Sequence, residues 1–304
     1  MESNKIVVIG SCNTDMVIKS DRLPVPGETI LGGTFMMNPG GKGANQAVAA
    51  ARMGGDVTFI SKTGNDLFGK QSLELYKTEG IQTDYIFSDP KNPSGVALIT
   101  VDSHGENCIV VASGANATLS PKDIGKAKSE IESANLVLMQ LEIPIETVEY
   151  AAKMAYMKNI RVILNPAPAQ TLSNDLLKCI YLITPNKTEA EMLSGIKVTD
   201  WESAKIAADI ISAKGVKNVV ITLGSMGALI KENEQYHQVK ACEVEPIDST
   251  AAGDTFCGAL SVGLSEEMSL LEAVKLATKA AALTVTRMGA QASIPYRKEL
   301  SMIK

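Results

Sequence analysis

With 304 residues, 45% hydrophobic and 21% charged, the chain has the balance of a soluble globular protein and the length for one large α/β domain or two smaller ones. Its formal net charge of −5 argues against a nucleic-acid partner, whose phosphates call for a basic face, and no apolar run reaches the ~18 residues of a membrane-spanning helix. Two histidines and five scattered cysteines (Cys12, Cys108, Cys179, Cys242, Cys257), none in a Cys-x-x-Cys pair, argue against a Ser-His-Asp hydrolase, a His-ligated metal enzyme, a zinc site and a disulfide framework.

The N-terminal "MESNKIVVIGS" runs straight into a strand-like segment without signal-peptide architecture, so a cytoplasmic protein with reduced thiols is expected. Short β-branched runs at Lys5–Gly10, Val57–Ser61, Leu136–Leu141, Arg161–Asn165, Tyr181–Thr184 and Asn218–Thr222 read as buried strands. Between them Ala44–Met53, Gly69–Glu79, Pro121–Ser133, Ile145–Met157 and Ser203–Lys214 read as helices. Ser120-Pro121 with Asp123, and Ser269 with Glu272, mark two helix starts. This alternation predicts a mainly parallel sheet covered on both faces, with ligands at the carboxyl ends of its strands. Two stretches break it: about 15–39, with Pro24, Pro26 and Gly27, and about 94–111, a hairpin turning at Asp102–Gly105. Together they predict a small β-sheet beside a single 1–304 domain, whose natural use is a lid or a dimer contact, with a plain insertion as the alternative.

The strand ends carry the chemistry. "GSCNTD" puts Asn13 and Asp15 at the carboxyl edge, and "NPGGKGANQAVAAARMGG" follows, with Gly40, Gly41 and Gly43 around Lys42 and Asn45. This is no Walker loop: Gly follows the lysine, and Met36 stands where the first glycine belongs. Nor does the glycine spacing fit a dinucleotide fingerprint. Accessible amides with Asn, Asp and Lys, joined at the same edge by Glu142 of "LVLMQLE", suit a ligand with many hydroxyls, because each buried hydroxyl needs a partner. Singly, each of these residues is as well explained by a loop hydrogen bond; their convergence favours a sugar site. Asn186 with Glu189, and Thr222 with Gly224 and Gly227, end two further strands and fit either phosphate binding or turn chemistry. Last comes "DSTAAGDTFCGAL", small residues delivering Asp254 to the start of an apolar helix. A helix start with bare amides attracts anions, yet an Asp there is also an ordinary cap, and this stretch alone leaves both open.

In this order "GGKGANQAVAAARMG", "MQLEIP", "NPAPA", "ITPNKTEAE", "ITLGSMG", "DSTAAGDTFCGAL" and "TRMGAQASIP" resemble the PfkB family of carbohydrate kinases, over about Lys5 to Pro295. The resemblance implies a three-layer α/β/α fold with a small β-sheet lid, and ATP-dependent phosphorylation of ribose at its 5-hydroxyl. Deoxyribose, fructose or a keto-sugar acid is the alternative substrate, and a catalytically silent sugar-binding regulator the alternative class. Carried over residue by residue, it gives Asn13, Asp15, Gly41, Lys42, Gly43, Asn45 and Glu142 to the sugar, with Asp254 as the catalytic base. The amides of Ala252, Gly253 and Asp254 would steady the transferring phosphoryl group. ATP would be held by Asn186, Thr222, Gly224, Ser225, Gly227, Gly253 and Thr278, the last standing where His or Asn often lines the adenine pocket. A potassium-like ion would take Asp248, Thr250, Thr284, Arg287, Gly289 and Ser293, mostly through backbone carbonyls; Glu189 is implicated indirectly in magnesium dependence. A homodimer through the lid is implied. At the ordinary carboxylate pKa of about 3.9, Asp254 would be ionised at neutral pH.

Overall fold

The structure, a computed structural model, describes residues 4–104 and 106–303. In chain order its elements begin with β1 (Lys5–Ile9), β2 (Asn13–Lys19), β3 (Thr34–Gly40), α1 (Lys42–Arg52), β4 (Asp56–Gly64), α2 (Leu67–Thr78), β5 (Ile86–Asp89), β6 (Gly95–Val101) and β7 (Asn107–Ala112). Then come α3 (Pro121–Lys126), α4 (Lys128–Glu132), β8 (Leu136–Met139), α5 (Ile145–Met157), β9 (Arg161–Leu164), α6 (Asn174–Lys178), β10 (Leu182–Ile183), α7 (Lys187–Ser194) and α8 (Trp201–Ala213). The chain closes with β11 (Asn218–Thr222), β12 (Ala228–Glu232), β13 (Gln235–Val239), α9 (Ala252–Ser265) and α10 (Leu270–Thr284).

Nine strands form one sheet in the order β13-β12-β11-β10-β9-β8-β1-β4-β5, parallel except at the β11-β12-β13 edge. Because β1 is buried on both faces, its alternate side chains feed two cores. Ile6 and Val8 point to the layer built from α1, α9 and α10 with Tyr76 of α2; Val7 and Ile9 point to the layer of α3 to α8. These are the three layers expected. The sheet is wider than the sequence reading had it, since an antiparallel hairpin, β12-β13, extends it past β11.

The helix expected over Pro121–Ser133 is two short ones, interrupted at Ala127 (φ −95°, ψ 14°) after Gly125 has weakened the first. Its start is as expected, a capping box in which Ser120 and Asp123 satisfy each other's amides.

The small sheet has the order β3-β2-β6-β7. Asp102 Oδ1 closes its β6-β7 turn by accepting from the amides of His104 and Glu106; Gly105 of that turn lies outside the described residues. Period-two alternation sorts the faces. Asn13 and Asp15 share one face with Gly40 and Gly95, whereas Met16 and Ile18 lie beside Met37, Phe35 and Leu98 on the other.

Candidate active site

Helix α1 starts where β1 ends, and two glycines let their backbones touch. A Cβ on Gly43 would lie 2.5 Å from the Ser11 amide nitrogen, and one on Gly41, whose φ is +88°, would lie 2.7 Å from that of Asn13. Gly41 caps the helix without a side chain, and Glu142 supplies one from across the sheet edge: its Oε2 accepts from the Lys42 amide (3.0 Å) and from Ser11 Oγ (2.6 Å). Asn116 grips the strand end in the same way. It accepts from the Cys12 amide and donates to Asn13 Oδ1 at 2.7 Å, which leaves the Asn13 NH2 group as the free end.

Asp254 enters from a second helix, in the first turn of α9. It is buried, and each carboxylate oxygen accepts one amide: Oδ2 from Asn45 and Oδ1 from Gln46, both at 2.9 Å. The other acceptor of this corner, Asn45 Oδ1, has no partner among the described residues. Asp15, Lys42, Asn45, Glu142 and Asp254 therefore meet in one place, as the sequence reading expected.

That crowd of acids resets their chemistry. Burial pushes the Asp15 carboxyl from its ordinary 3.8 to about 6, with Glu142 and Asp254 adding to the rise and Lys42 opposing it. Burial also raises Asp254 above the ordinary carboxylate value expected for it, against Lys42 and the two amide donors. Lys42 is itself desolvated, yet Asp254, Glu142 and Glu189 outweigh that and hold the ammonium above its ordinary value. Burial drives the Cys257 thiol up to about 12, so it is an inert core group.

Ala251 adopts a left-handed conformation (φ 59°) and turns the chain into α9. The amides of Gly253 and Asp254 have no acceptor among the described residues, while that of Ala252, expected to be free, bonds Ser249 O at 3.3 Å. A Cβ on Gly253 would meet nothing within 4 Å.

The remaining predicted residues lie at the ends of β10 and β11, around the start of α9, and in and just after α10. Asn186 and Glu189 form a capping box on α7, both Glu189 oxygens accepting from Asn186 at 2.9 Å. Thr222 ends β11; Gly224 and Ser225 are exposed in the turn beyond it. Gly227 (φ +106°) has a packing reason to be glycine, because a Cβ there would lie 2.0 Å from Val239 O of the edge hairpin. The Thr278 hydroxyl turns back on its own helix, donating to Val274 O at 2.8 Å. Asp248 pins two segments together: Oδ1 accepts from the amide and hydroxyl of Thr250, Oδ2 from the Gly289 amide. These donors outweigh burial and hold its carboxyl below the ordinary range. Thr284, Arg287 and Ser293 have their side chains engaged elsewhere, with Thr255, Glu299 and Ala290 O, so only their carbonyls are at hand. Among the described residues no three His, Cys, Asp or Glu cluster as a metal site.

The sequence reading missed Gln46, Ser11 and Asn116. Their only local signal is a polar residue inside an apolar or glycine-rich run, as with Gln140 in "LVLMQLE" and Asn165 in "VILNPA".

Residues 3–297 match the family described as pfkB family carbohydrate kinase. A ribokinase of Haemophilus influenzae is 46% identical over 294 residues, 97% of this chain and 96% of its own. A deoxyribokinase of Salmonella typhimurium is 37% identical over 95% of each. The solved structure of Arabidopsis thaliana ribokinase complexed with ribose and ATP superposes with a TM-score of 0.91 at 33% identity, covering 99% of this chain and 98% of that one; the fold is thus ribokinase-like.

The raised Asp15 carboxyl makes a stability prediction whose sign is fixed. The folded state holds this proton more tightly than the unfolded chain, so stability falls as pH rises from about 4 to 6 and stays lower above. Asp15→Asn should therefore stabilise the ligand-free protein at pH 7 by about 1–3 kcal/mol, with the gain vanishing below about pH 4. Urea unfolding at several pH values reads this directly; a variant no more stable than the parent at pH 7 contradicts it.

Proposed function

The chain belongs to the pfkB family of carbohydrate kinases, and we infer that it carries out the ribokinase reaction: the γ-phosphoryl group of ATP passes to the 5-hydroxyl of D-ribose, giving D-ribose 5-phosphate and ADP. The observation that carries this reading is the meeting of a buried carboxylate, Asp254, with two unpaired helix-start amides beside a ring of sugar-type hydrogen-bonding groups.

Asn13 offers its NH2 group, Glu142 its Oε1, which has no hydrogen bond among the described residues, and Asp15 and Asn45 their acceptors, a set matched to the hydroxyls of a pentose. As the 5-oxygen attacks the γ-phosphorus, its proton moves to Asp254, the bond from the γ-phosphorus to the β,γ-bridging oxygen breaks, and ADP leaves with that oxygen. Charge gathers on the phosphoryl oxygens in the transition state, and the Gly253 and Asp254 amides with the Lys42 ammonium offset it there. Gly253 supports this reading in its own way. No protein atom would obstruct a side chain at that position, so a bare backbone there serves something that approaches from outside. The raised carboxyl of Asp254 suits a base, since an acceptor nearer neutrality holds the transferred proton more firmly.

The nucleotide would lie along the ends of β10 and β11, over Asn186, Thr222, Gly224, Ser225 and Gly227, with Thr278 behind the adenine as packing surface. Magnesium would come with the phosphates. Glu189 spends both oxygens capping α7, so its part is to hold that helix start in shape. Asp248 and the carbonyls of Thr250, Thr284, Arg287, Gly289 and Ser293 are hard oxygen donors that fit potassium, whose charge would hold the loop before α9 in place. The β2-β3-β6-β7 sheet would act as the lid, Asn13 and Asp15 on its inner face. Its outer face exposes Phe35 (59%), Leu98 (56%) and Val110 (64%), and pairing with a second copy would cover it. Five free cysteines agree with a cytoplasmic protein.

Three outcomes are expected. In an ADP-release screen over ribose, deoxyribose, fructose and keto-sugar acids, ribose gives the highest kcat/KM, and Asp254→Asn lowers kcat at least about a hundredfold while ribose and ATP still bind. Near-normal turnover of that variant removes Asp254 as the base, and a stronger response to another sugar reassigns the substrate. Replacing potassium by tetramethylammonium at constant ionic strength lowers kcat severalfold; indifference to the cation argues against the site. The parent sediments as a dimer at micromolar concentration and Leu98→Lys with Val110→Lys as a folded monomer, whereas a monomeric parent ends the pairing idea.

A further inference from the structure

Gln46 is fully buried one residue past Asn45, and its amide has only one workable direction. An ionised carboxylate can only accept, so Gln46 turns its NH2 end to Asp254 Oδ1, at 2.9 Å. The second N–H reaches Asn165 Oδ1 at 3.0 Å, and Gln46 Oε1 accepts from Gln140 Nε2 at 2.6 Å. Asn165 in turn donates to Thr184 O at 3.1 Å, a carbonyl that can only accept. The directions of Gln46 and Asn165 are therefore set by obligatory acceptors, the Asp254 carboxylate and Thr184 O, and Gln140 is oriented by its donation to Gln46, its own buried Oε1 having no partner among the described residues.

We propose that Gln46 is a positioning residue for phosphoryl transfer, locked by Gln140 and Asn165 so that its amide holds Asp254 with the carboxylate's remaining lone pairs aimed at the sugar hydroxyl. This rests on the reading of Asp254 as the base. A carboxylate with one donor on each oxygen cannot rotate about its terminal bond without breaking both contacts. Asn45 and Gln46 together thus fix its plane, and Asn45 alone does not. The charged and titratable groups that face Asp254 are Lys42 from α1, Glu142 beyond β8, Asp15 from β2, Glu189 from α7 and Cys257 from α9. Only Lys42 is cationic, so loss of the Gln46 donor leaves the ionised base with Lys42 and Asn45 as its main supports.

The test uses the full chain carrying Gln46→Met, with kinetics across pH and the Asp254 carboxyl followed by 13C NMR, its signal assigned by loss in Asp254→Asn. The expected result is a folded protein whose kcat falls about tenfold or more, with KM for ribose and ATP within about twofold. Its Asp254 titration and the acid limb of kcat should both move up by about one pH unit, since hydrogen bonding to the charged form favours that form. Gln46→Glu covers the case in which the methionine variant does not fold. It keeps the shape and the acceptor for Gln140 but offers Asp254 a second carboxylate, and at pH 8 its kcat should also fall about tenfold or more. An unchanged kcat and titration in folded Gln46→Met, or an unchanged kcat in folded Gln46→Glu, overturns the proposal. The carboxyl titration reads the contact and the turnover of Asp254→Asn reads the base, so the two ideas fail separately.

Discussion

The close crossing of α1 and α9 is the constraint from which the rest of the site follows. At Gly258 the helices approach so nearly that a Cβ would lie 2.5 Å from Ala49 Cβ and 2.8 Å from the Ala50 nitrogen. The alanines of α1 and the glycine of α9 permit this, because neither helix presents a side chain that would hold the other away. One turn before that contact, α9 carries Asp254; one turn before it, α1 carries Asn45 and Gln46. Backbone packing thereby brings the carboxylate and its two amide donors within hydrogen-bond reach of one another.

The electrostatics depend on the same geometry. Asp15, Glu142 and Asp254 are brought around one ammonium, Lys42, and burial raises Asp15 and Asp254 above their ordinary values. Such a cluster is costly in an empty site and becomes less so when hydroxyl groups arrive to donate to the carboxylates. A structural acid behaves in the opposite way. Asp123 accepts from Ser120, Lys62 and Lys126, and these donors outweigh burial and hold its carboxyl below the ordinary range, at about 2. Whether an acid is given its donors by the protein or left short of them thus separates scaffold from site.

Much of this was legible in the sequence. Helix α5 and strand β11 have the predicted limits, Ile145–Met157 and Asn218–Thr222, because apolar periodicity and turn residues bound them locally. The acids and amides at the strand ends announced a polar ligand, but the glycines at 40, 41 and 43, read as accessible backbone, are buried against β1 and β2, and the amides of Lys42 and Gly43 are spent on Glu142 and Ser11. What escaped depends on distant partners. Gln46 looks like any polar residue on a helix, and only α9, β9 and the end of β8 bury it. The β12-β13 hairpin lay hidden behind a turn read for its glycines, although Gly227 answers to Val239 O across that hairpin. The upward shift of Asp254 could not be foreseen either, since desolvation belongs to the assembled core and not to the residue type.

The join between β1 and α1 has a mechanical consequence. Gly10 and Gly43 meet so closely that a Cβ on Gly10 would sit 2.8 Å from Gly43 Cα, and Ala44 N donates to Ser11 O across the same seam. Strand and helix are effectively riveted, so Lys42 and Asn45 cannot travel relative to the central sheet without tearing the fold's middle. Asp15 stands on a different part, the small sheet, where a Cβ on Gly40 would lie 2.2 Å from its own Oδ2 and one on Gly95 2.1 Å from Asn13 Oδ1. The site's residues therefore come from two separately built parts, the α1 start fixed to the central sheet and the Asp15 face of the small sheet.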